Sequence, residues 1–236
     1  MKDVRNKVSS LLKRVAKIEG LSGQDLSGQD WSDMDLTDTN LDRTNFSKAN
    51  LRGANLSDNE IKSPIFRNAQ LRGADLNYAI LTDADLKFAD LRDTDLSGTV
   101  FKRANLVAAE FEGADLFATS FVNSNLSGNS FLRADFTKVI FDDSNFTYTT
   151  LIDAKFDIMC SARGTDFSHA DLRNIYTFTP VNFSKANFTD TDLRGAYLLN
   201  CDFTDAIFNR TAIDKKTKID LKKQLTAKQR KGIWSF

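Results

Sequence analysis

A large apolar residue recurs at every fifth position from Leu21 to Phe156, through 28 consecutive positions. The series opens Leu21, Leu26, Trp31, Leu36, Leu41, Phe46, Leu51, Leu56, Ile61, Phe66, Leu71, Leu76, and from there it uses only Leu or Phe. An amphipathic helix does not explain it, because a helical stripe repeats about every 3.6 residues. A plain strand does not either: side chains alternate along a strand, so an odd spacing would invert the pattern at each step. A chain that keeps these residues on one side must turn once per repeat.

The other columns say where. Two residues before the large one stands a small one: Ala49, Ala54, Ala69, Ala74, Ala79, Ala84, Ala89, Thr94, Thr99, Ala104. Between them stands Asp or Asn, as in Asp75, Asp85 and Asn105. In extended chain the small and large residues face one side and the Asp or Asn faces the other. The two remaining residues are variable, include Gly53, Gly73, Gly98, Gly113 and Gly128, and accommodate the corner. Corners of one sense wind a coil with large residues stacked inside. Sixteen of the 19 Phe fall on the large position, all but Phe88, Phe117 and Phe236. The stretch EIKSPIF keeps the beat through Ile61 and Phe66, with Asn59 and Pro64 at small positions. Pro64 has no N–H and is expected to remove one inter-coil hydrogen bond.

With GADL at 73–76, DADL at 83–86, GADL at 113–116 and SKANF at 184–188 in one register, residues 21–213 resemble the pentapeptide-repeat family. The resemblance implies an all-β solenoid, a right-handed quadrilateral β-helix with four repeats to a coil. On that count the chain holds about ten coils.

The beat slips twice. Phe156 to Phe167 spans eleven residues, as does Leu172 to Phe183. Each is two repeats plus one residue and reads as a bulge. The first is placed within 157–161, the second within 173–177 with Phe178 back on the beat. Counted on four sides the bulges are neighbours, and Ile158, Met159, Ile175 and Tyr176 form a candidate apolar contact. Cys160, in the first bulge, is placed for exposure; Cys201, at a small position, is placed in the core. After Phe183 the beat runs Phe188, Leu193, Leu198, Phe203, Phe208, Ile213.

A solenoid exposes its core at both ends and needs caps. In residues 1–20 the spacing of Val4, Val8, Leu11, Val15 and Ile18 predicts an amphipathic helix that Gly20 stops. Its other face carries Lys2, Lys7, Lys13, Arg14 and Lys17, which also suits an anionic membrane surface. Residues 214–236 predict a basic helix, N-capped by Thr217 and ended by Gly232, with an apolar tail. Ile233, Trp234 and Phe236 are candidates for closing the last coil or for a homodimer contact through the C-terminal end.

The chain is formally neutral, yet residues 1–20 carry +4 and residues 212–236 carry +6, leaving −10 on residues 21–211. That charge disfavours direct nucleic-acid binding by the coil. At lag twenty, Asp75, Asp95, Asp115 and Asp135 line one side as a candidate for a basic partner, and Ile80, Val100 and Ile140 line another as an apolar strip. No GxxxxGK[ST], CxxC or HExxH occurs, and His169 is the only histidine, at a corner position. Neither a catalytic nor a metal or cofactor site is indicated. A cytoplasmic location is expected from the lack of a long apolar run.

The expectation is a non-enzymatic scaffold with an unidentified protein partner. The family resemblance also implies a second class, DNA-mimicking modulators of DNA gyrase or topoisomerase. A membrane-associated bacterial effector held through residues 1–20 is a third.

Overall fold

The structure, a computed structural model, describes residues 20–219 and 225–235. It divides into two compact units, Met1–Asp115 and Leu116–Phe236. The helix expected over residues 2–19 lies outside the described residues.

In the first unit outward residues bridge in parallel to those twenty positions on. One side runs Asp25–Asn45–Ile65–Asp85–Asn105, the next Asp30–Asn50–Gln70–Asp90–Glu110, the third Asp35–Asn55–Asp75–Asp95–Asp115. The fourth holds β1 (Glu60–Lys62) paired with β2 (Ile80–Thr82), and Ile80 bridges to Val100. Twenty residues therefore make one coil of four five-residue sides.

The corner is a β-turn. The large residue's carbonyl accepts the N–H three residues on, as Gln24 N to Leu21 O at 3.1 Å and Ala54 N to Leu51 O at 3.1 Å. The turn's third residue alone has positive φ, +69° at Gly23 and 60° at Lys48, which is the type II pattern. Among the described residues 29 non-glycine side chains sit at positive φ, a conformation costing about 1–2 kcal/mol apiece. The Asp/Asn column offsets this. Asp35 Oδ1 accepts the Thr37 N–H at 3.2 Å and Asn55 Oδ1 the Ser57 N–H at 2.9 Å, each bonding into its following corner. Successive coils are tied by backbone bonds such as Leu56 N to Asp75 O at 2.7 Å.

Inside, the large residues stack: Phe46 lies on Phe66 at 5.4 Å with rings 3° from parallel. Where Thr replaces Ala, its hydroxyl donates to a corner carbonyl, either of the preceding coil, as Thr99 to Leu76 O at 2.7 Å, or of its own, as Thr149 to Phe146 O at 2.7 Å. Asn59 does the same through Nδ2 to Leu36 O at 3.0 Å. Pro64 corrects an expectation. At this position the N–H closes the corner of its own coil rather than pairing with a neighbour. Pro64 thus removes an intra-turn bond, while its carbonyl still accepts Asp85 N at 3.0 Å and the β1–β2 pairing is intact.

The second unit follows the same rule up to Asp135↔Lys155; then the lag becomes twenty-one from Ile140↔Ser161 to Tyr176↔Tyr197, returns to twenty from Asn182↔Asp202 to Asp192↔Ala212, and is twenty-one again at Tyr197↔Lys218. β3 (Lys155–Phe156), β4 (Tyr176–Thr177), β5 (Tyr197–Leu198) and β7 (Lys218–Ile219) form one parallel sheet. The core stacks Phe183 on Phe203 at 5.5 Å and Phe188 on Phe208 at 5.1 Å. Phe156 pairs with Thr177, so Thr177 takes the inward position and Phe178 faces out. The second extra residue therefore lies within 178–181, not 173–177, and one of the sixteen Phe is off the beat.

The C-terminal expectation is corrected in part. Thr217 caps no helix; it closes a turn with Asp214, and β7 follows. The helix is α1 (Ala227–Lys231), N-capped by Thr226 with a reciprocal bond from Gln229 and ended at Gly232. Gln229 Nε2 donates to Phe203 O and Ala206 O at 2.8 and 2.9 Å, and Leu225 is buried. The tail then pairs as β8 (Ile233–Ser235) with β6 (Thr211–Ile213) of its own chain. Trp234 remains half exposed, and Phe236 lies outside the described residues.

Candidate functional site

Besides the corner between Ile213 and Lys218, two corners of the second unit hold one residue more than the rest, and these two lie on successive coils. The first follows Phe156 and contains Asp157, Ile158, Met159 and Cys160; the second follows Thr177 and contains Phe178, Thr179, Pro180 and Val181. The extra residue puts Ile158 and Met159 consecutively at positive φ, 26° and 59°. No other described non-glycine residues are paired in this way. A local charge network holds the geometry. Lys155 Nζ lies 3.2 Å from Asp135 Oδ2 and 3.4 Å from Asp157 Oδ2. Asp157 Oδ1 accepts the Ile158 N–H at 2.9 Å and the Thr179 hydroxyl at 3.2 Å. From the preceding coil the Lys138 N–H reaches both Asp157 O and Ile158 O, at 3.3 and 3.0 Å. Burial alone would raise the Asp157 carboxyl; the Ile158 N–H, the Thr179 hydroxyl and Lys155 outweigh it and hold it below its ordinary range. Lys155 is raised, chiefly by Asp135.

The polar network is half hidden and the apolar side chains point out. Met159 is 78% exposed and Phe178 75%, the two highest values among large apolar residues described. Ile158 and Tyr197 are about half exposed. The Tyr176 ring meets Phe178 edge to face at 5.4 Å. On the coil before, Lys138 Nζ sits 4.9 Å from the Phe117 ring centre. Of the four side chains expected here, Ile158, Met159 and Tyr176 are at the surface. Ile175 is not: it fills a small inward position and is fully buried. Cys160 is buried too, beneath the corner rather than on it, and burial pushes its thiol well up. Burial likewise raises the Cys201 thiol, which lies in the core as expected. Phe178 and Tyr197 were missed. Phe178 matched the five-residue beat by coincidence; Tyr197 stands in an Asp/Asn column, where an aromatic residue was the available clue.

The other candidates separate by unit. Ile80 and Val100 are bridged neighbours in the first unit, while Ile140 lies between Ser120 and Ser161 in the second. Asp75, Asp95 and Asp115 form one column in the first unit; Asp135, in the second, pairs with Lys155. Asp75 and Asp95 each accept one corner N–H, from Asn77 and Ser97, at 2.9 Å. Residues 21–115 contain seventeen acidic and ten basic side chains. His169 is exposed, stacked on Tyr148 at 4.8 Å and 3.8 Å from Asp190, which Arg210 holds below its ordinary range. Among the described residues no group of His, Cys, Asp and Glu is arranged to hold a metal ion, and no helix is long and apolar enough to cross a membrane.

The profile of the pentapeptide repeats family matches eight copies, over residues 21–58, 65–103, 79–117, 119–157 and 181–215. The chain belongs to the pentapeptide-repeat family. Its fold is accordingly that family's right-handed quadrilateral β-helix, consistent with the four-sided register of each unit. Among solved structures, trypsin-treated QnrB1, a plasmid-mediated fluoroquinolone resistance protein, is similar at 17% identity with a TM-score of 0.53, covering 92% of both chains. HetL, a pentapeptide repeat protein involved in heterocyst differentiation regulation from the cyanobacterium Nostoc, is 23% identical, covering 81% of this chain and 88% of its own, TM-score 0.44. A pentapeptide repeat protein of the Arabidopsis thaliana thylakoid lumen is 38% identical over 48% of this chain and 68% of its own, TM-score 0.20. No curated protein matches the sequence.

Proposed function

We propose that this pentapeptide-repeat protein is a non-enzymatic, cytoplasmic interaction scaffold of about ten coils. Its partner is a protein that docks on the paired corners through Ile158, Met159, Tyr176 and Phe178. One observation carries the reading: the two most exposed large apolar side chains described, Met159 and Phe178, occupy two irregular corners on successive coils. Exposed apolar groups gathered on a rigid base favour protein contact. The test is quantitative affinity capture from the native host with the full chain and with a Met159→Asp, Phe178→Asp double variant. A partner retained by the parent and depleted by the variant is expected. Equal retention of every captured protein by both sinks the reading.

A second reading, modulation of DNA gyrase or topoisomerase, rests on the acidic column through Asp75 and Asp95 and on the acid excess of residues 21–115. The fold shared with QnrB1 is compatible with it. A supercoiling assay decides: no effect on gyrase at micromolar protein, with or without a quinolone, removes it.

A further inference from the structure

Four sulfur-bearing side chains fall among the described residues: Met34, Met159, Cys160 and Cys201. The repeat hides three of them. Met34 stands two residues before Leu36, in the small inward column, and is 5% exposed. Cys160 precedes the outward Ser161 and Cys201 the outward Asp202, so both face inward and are buried. Burial pushes both thiols up, which keeps them protonated and poor nucleophiles. Met159 differs because its corner holds an extra residue. It belongs to no column of the five-residue beat, and its thioether side chain is 78% exposed at the surface.

A thioether needs no ionisation to react with a peroxide. Its sulfur lone pair attacks one peroxide oxygen; the S–O bond forms as the O–O bond breaks, and the departing oxygen takes up the proton and leaves as water. Sulfur is oxidised by two electrons and the peroxide is reduced, at a rate that follows access to the sulfur. We infer that Met159 is a site of oxidative modification by hydrogen peroxide, and that its sulfoxide releases the partner from the paired corners. The second half rests on the docking reading above; the first does not. Oxidation turns an apolar side chain into a polar one beside Ile158. The polar groups of these corners are already committed: Lys155 and the Thr179 hydroxyl hold Asp157, and the Lys138 N–H bonds the Asp157 and Ile158 carbonyls. The sulfoxide oxygen therefore loses its water on docking without a donor from the corners to replace it. Because sulfoxide reductases restore the thioether, the contact is reversibly gated.

The test treats the full folded chain with dilute hydrogen peroxide, then unfolds it, alkylates the thiols and digests with trypsin. Met159 and Cys160 share the tryptic peptide 156–163, whose fragment ions separate them. One added oxygen is expected at Met159, about tenfold faster than at Met34, with Cys160 and Cys201 recovered as alkylated thiols. The same treatment in guanidinium is expected to bring the two methionines to similar rates. Oxidation of Met34 or of either thiol as fast as Met159 in the folded chain overturns the inference. Affinity capture from the native host then compares untreated parent, treated parent and treated Met159→Leu, which stays apolar without sulfur. Partner recovery about tenfold lower with the treated parent, restored by a methionine sulfoxide reductase and unchanged with Met159→Leu, is the expected result. An equal loss with treated Met159→Leu overturns the gate. So does full capture by the oxidised parent where the Met159→Asp, Phe178→Asp variant loses the partner, and the docking reading then stands. Capture unaffected by that double variant sinks the docking reading and the gate with it, while the mass spectra still decide the modification site.

Discussion

The Thr179 hydroxyl donates to Asp157 Oδ1 at 3.2 Å, joining two enlarged corners on successive coils. At many other corners the preceding Asp or Asn caps its own turn, as Asp75 and Asp95 do, beside the backbone bonds to the next coil. Here the Asx residue has given way to Lys155 and Tyr176 at the outward positions. The carboxylate has moved to the far side of the large residue, as Asp157. An acid that caps from inside the corner, bonded to the coil above and the lysine beside it, replaces the local cap that the repeat normally supplies.

That replacement is expected to titrate. Asp157 sits below its ordinary range in the folded protein, so its contribution is present above the unfolded value of about 3.9 and is lost as pH falls through the lower, folded value. Asp157→Ala is expected to reduce stability by about 1–3 kcal/mol at neutral pH, since it removes hydrogen bonds to a charged group. The difference should shrink on acidification below about pH 4. Urea melts of both proteins at neutral pH and near pH 3 would check this; a gap independent of pH would assign the loss to packing alone.

The repeat made the coil legible because each column has one physical task. Large, small, Asx and corner residues can be told apart by spacing, and the lag of twenty confirms the side on which each falls. The misreadings came where two residues satisfied the beat at once. Thr177 and Phe178 are adjacent, and Phe is by type the better core residue. The coil kept Thr177 inside because Ile175, two positions earlier, had already filled the small place. At Pro64 spacing gives the column, but not whether an N–H in that column points along the chain or across coils. The Thr217 helix failed because the lysine-rich stretch after it has helical composition, while Asp214 and Thr217 together make a tighter local turn.

Inward threonines are not simply larger alanines. Thr99 is fully buried and donates to Leu76 O across 2.7 Å, adding a bond to a corner carbonyl of the coil before. Thr99→Val keeps the shape and removes the donor. A loss of about 1 kcal/mol is expected, a fall of roughly 2–4 °C in melting temperature for a chain of this size. Calorimetry would measure it, and an unchanged midpoint would mean that the Ala79 N–H already satisfies that carbonyl.

The corner conformation itself can be probed at Lys48, whose φ is 60° and whose column elsewhere is often glycine. A β-branched side chain is poorly accommodated there. Lys48→Val is expected to destabilise by about 1–2 kcal/mol, whereas Lys48→Gly should be neutral or stabilising because relief of the left-handed strain opposes the added freedom of the unfolded chain. Chemical denaturation of the pair gives the order directly; Val more stable than Gly would contradict the turn assignment.

Gly232 is constrained by contact rather than by φ, which is an ordinary −84°. A Cβ built there would lie 1.6 Å from Phe208 O and 2.6 Å from its carbonyl carbon. Both are backbone atoms of the coil on which α1 and β8 rest, so neither can swing aside as a side-chain tip would. Gly232→Ala must therefore lift the segment, breaking the Thr211 N to Gly232 O bond and the register of β8 on β6. Gly73 is the matched control, with positive φ but open space around its Cβ direction. Gly73→Asn places in that corner a residue type that occupies the same position at Asn68 and Asn123. Gly232→Ala is expected to cost about 2–4 kcal/mol, or to release the tail outright, while Gly73→Asn costs no more than about 1 kcal/mol. Hydrogen exchange distinguishes these outcomes. Rapid exchange confined to Thr211–Ile213 and Ile233–Ser235 in Gly232→Ala, with the first unit protected, is the expected result. Parent-like protection of Thr211 would show that the backbone at Phe208 yields, and that the close approach is not what selects glycine.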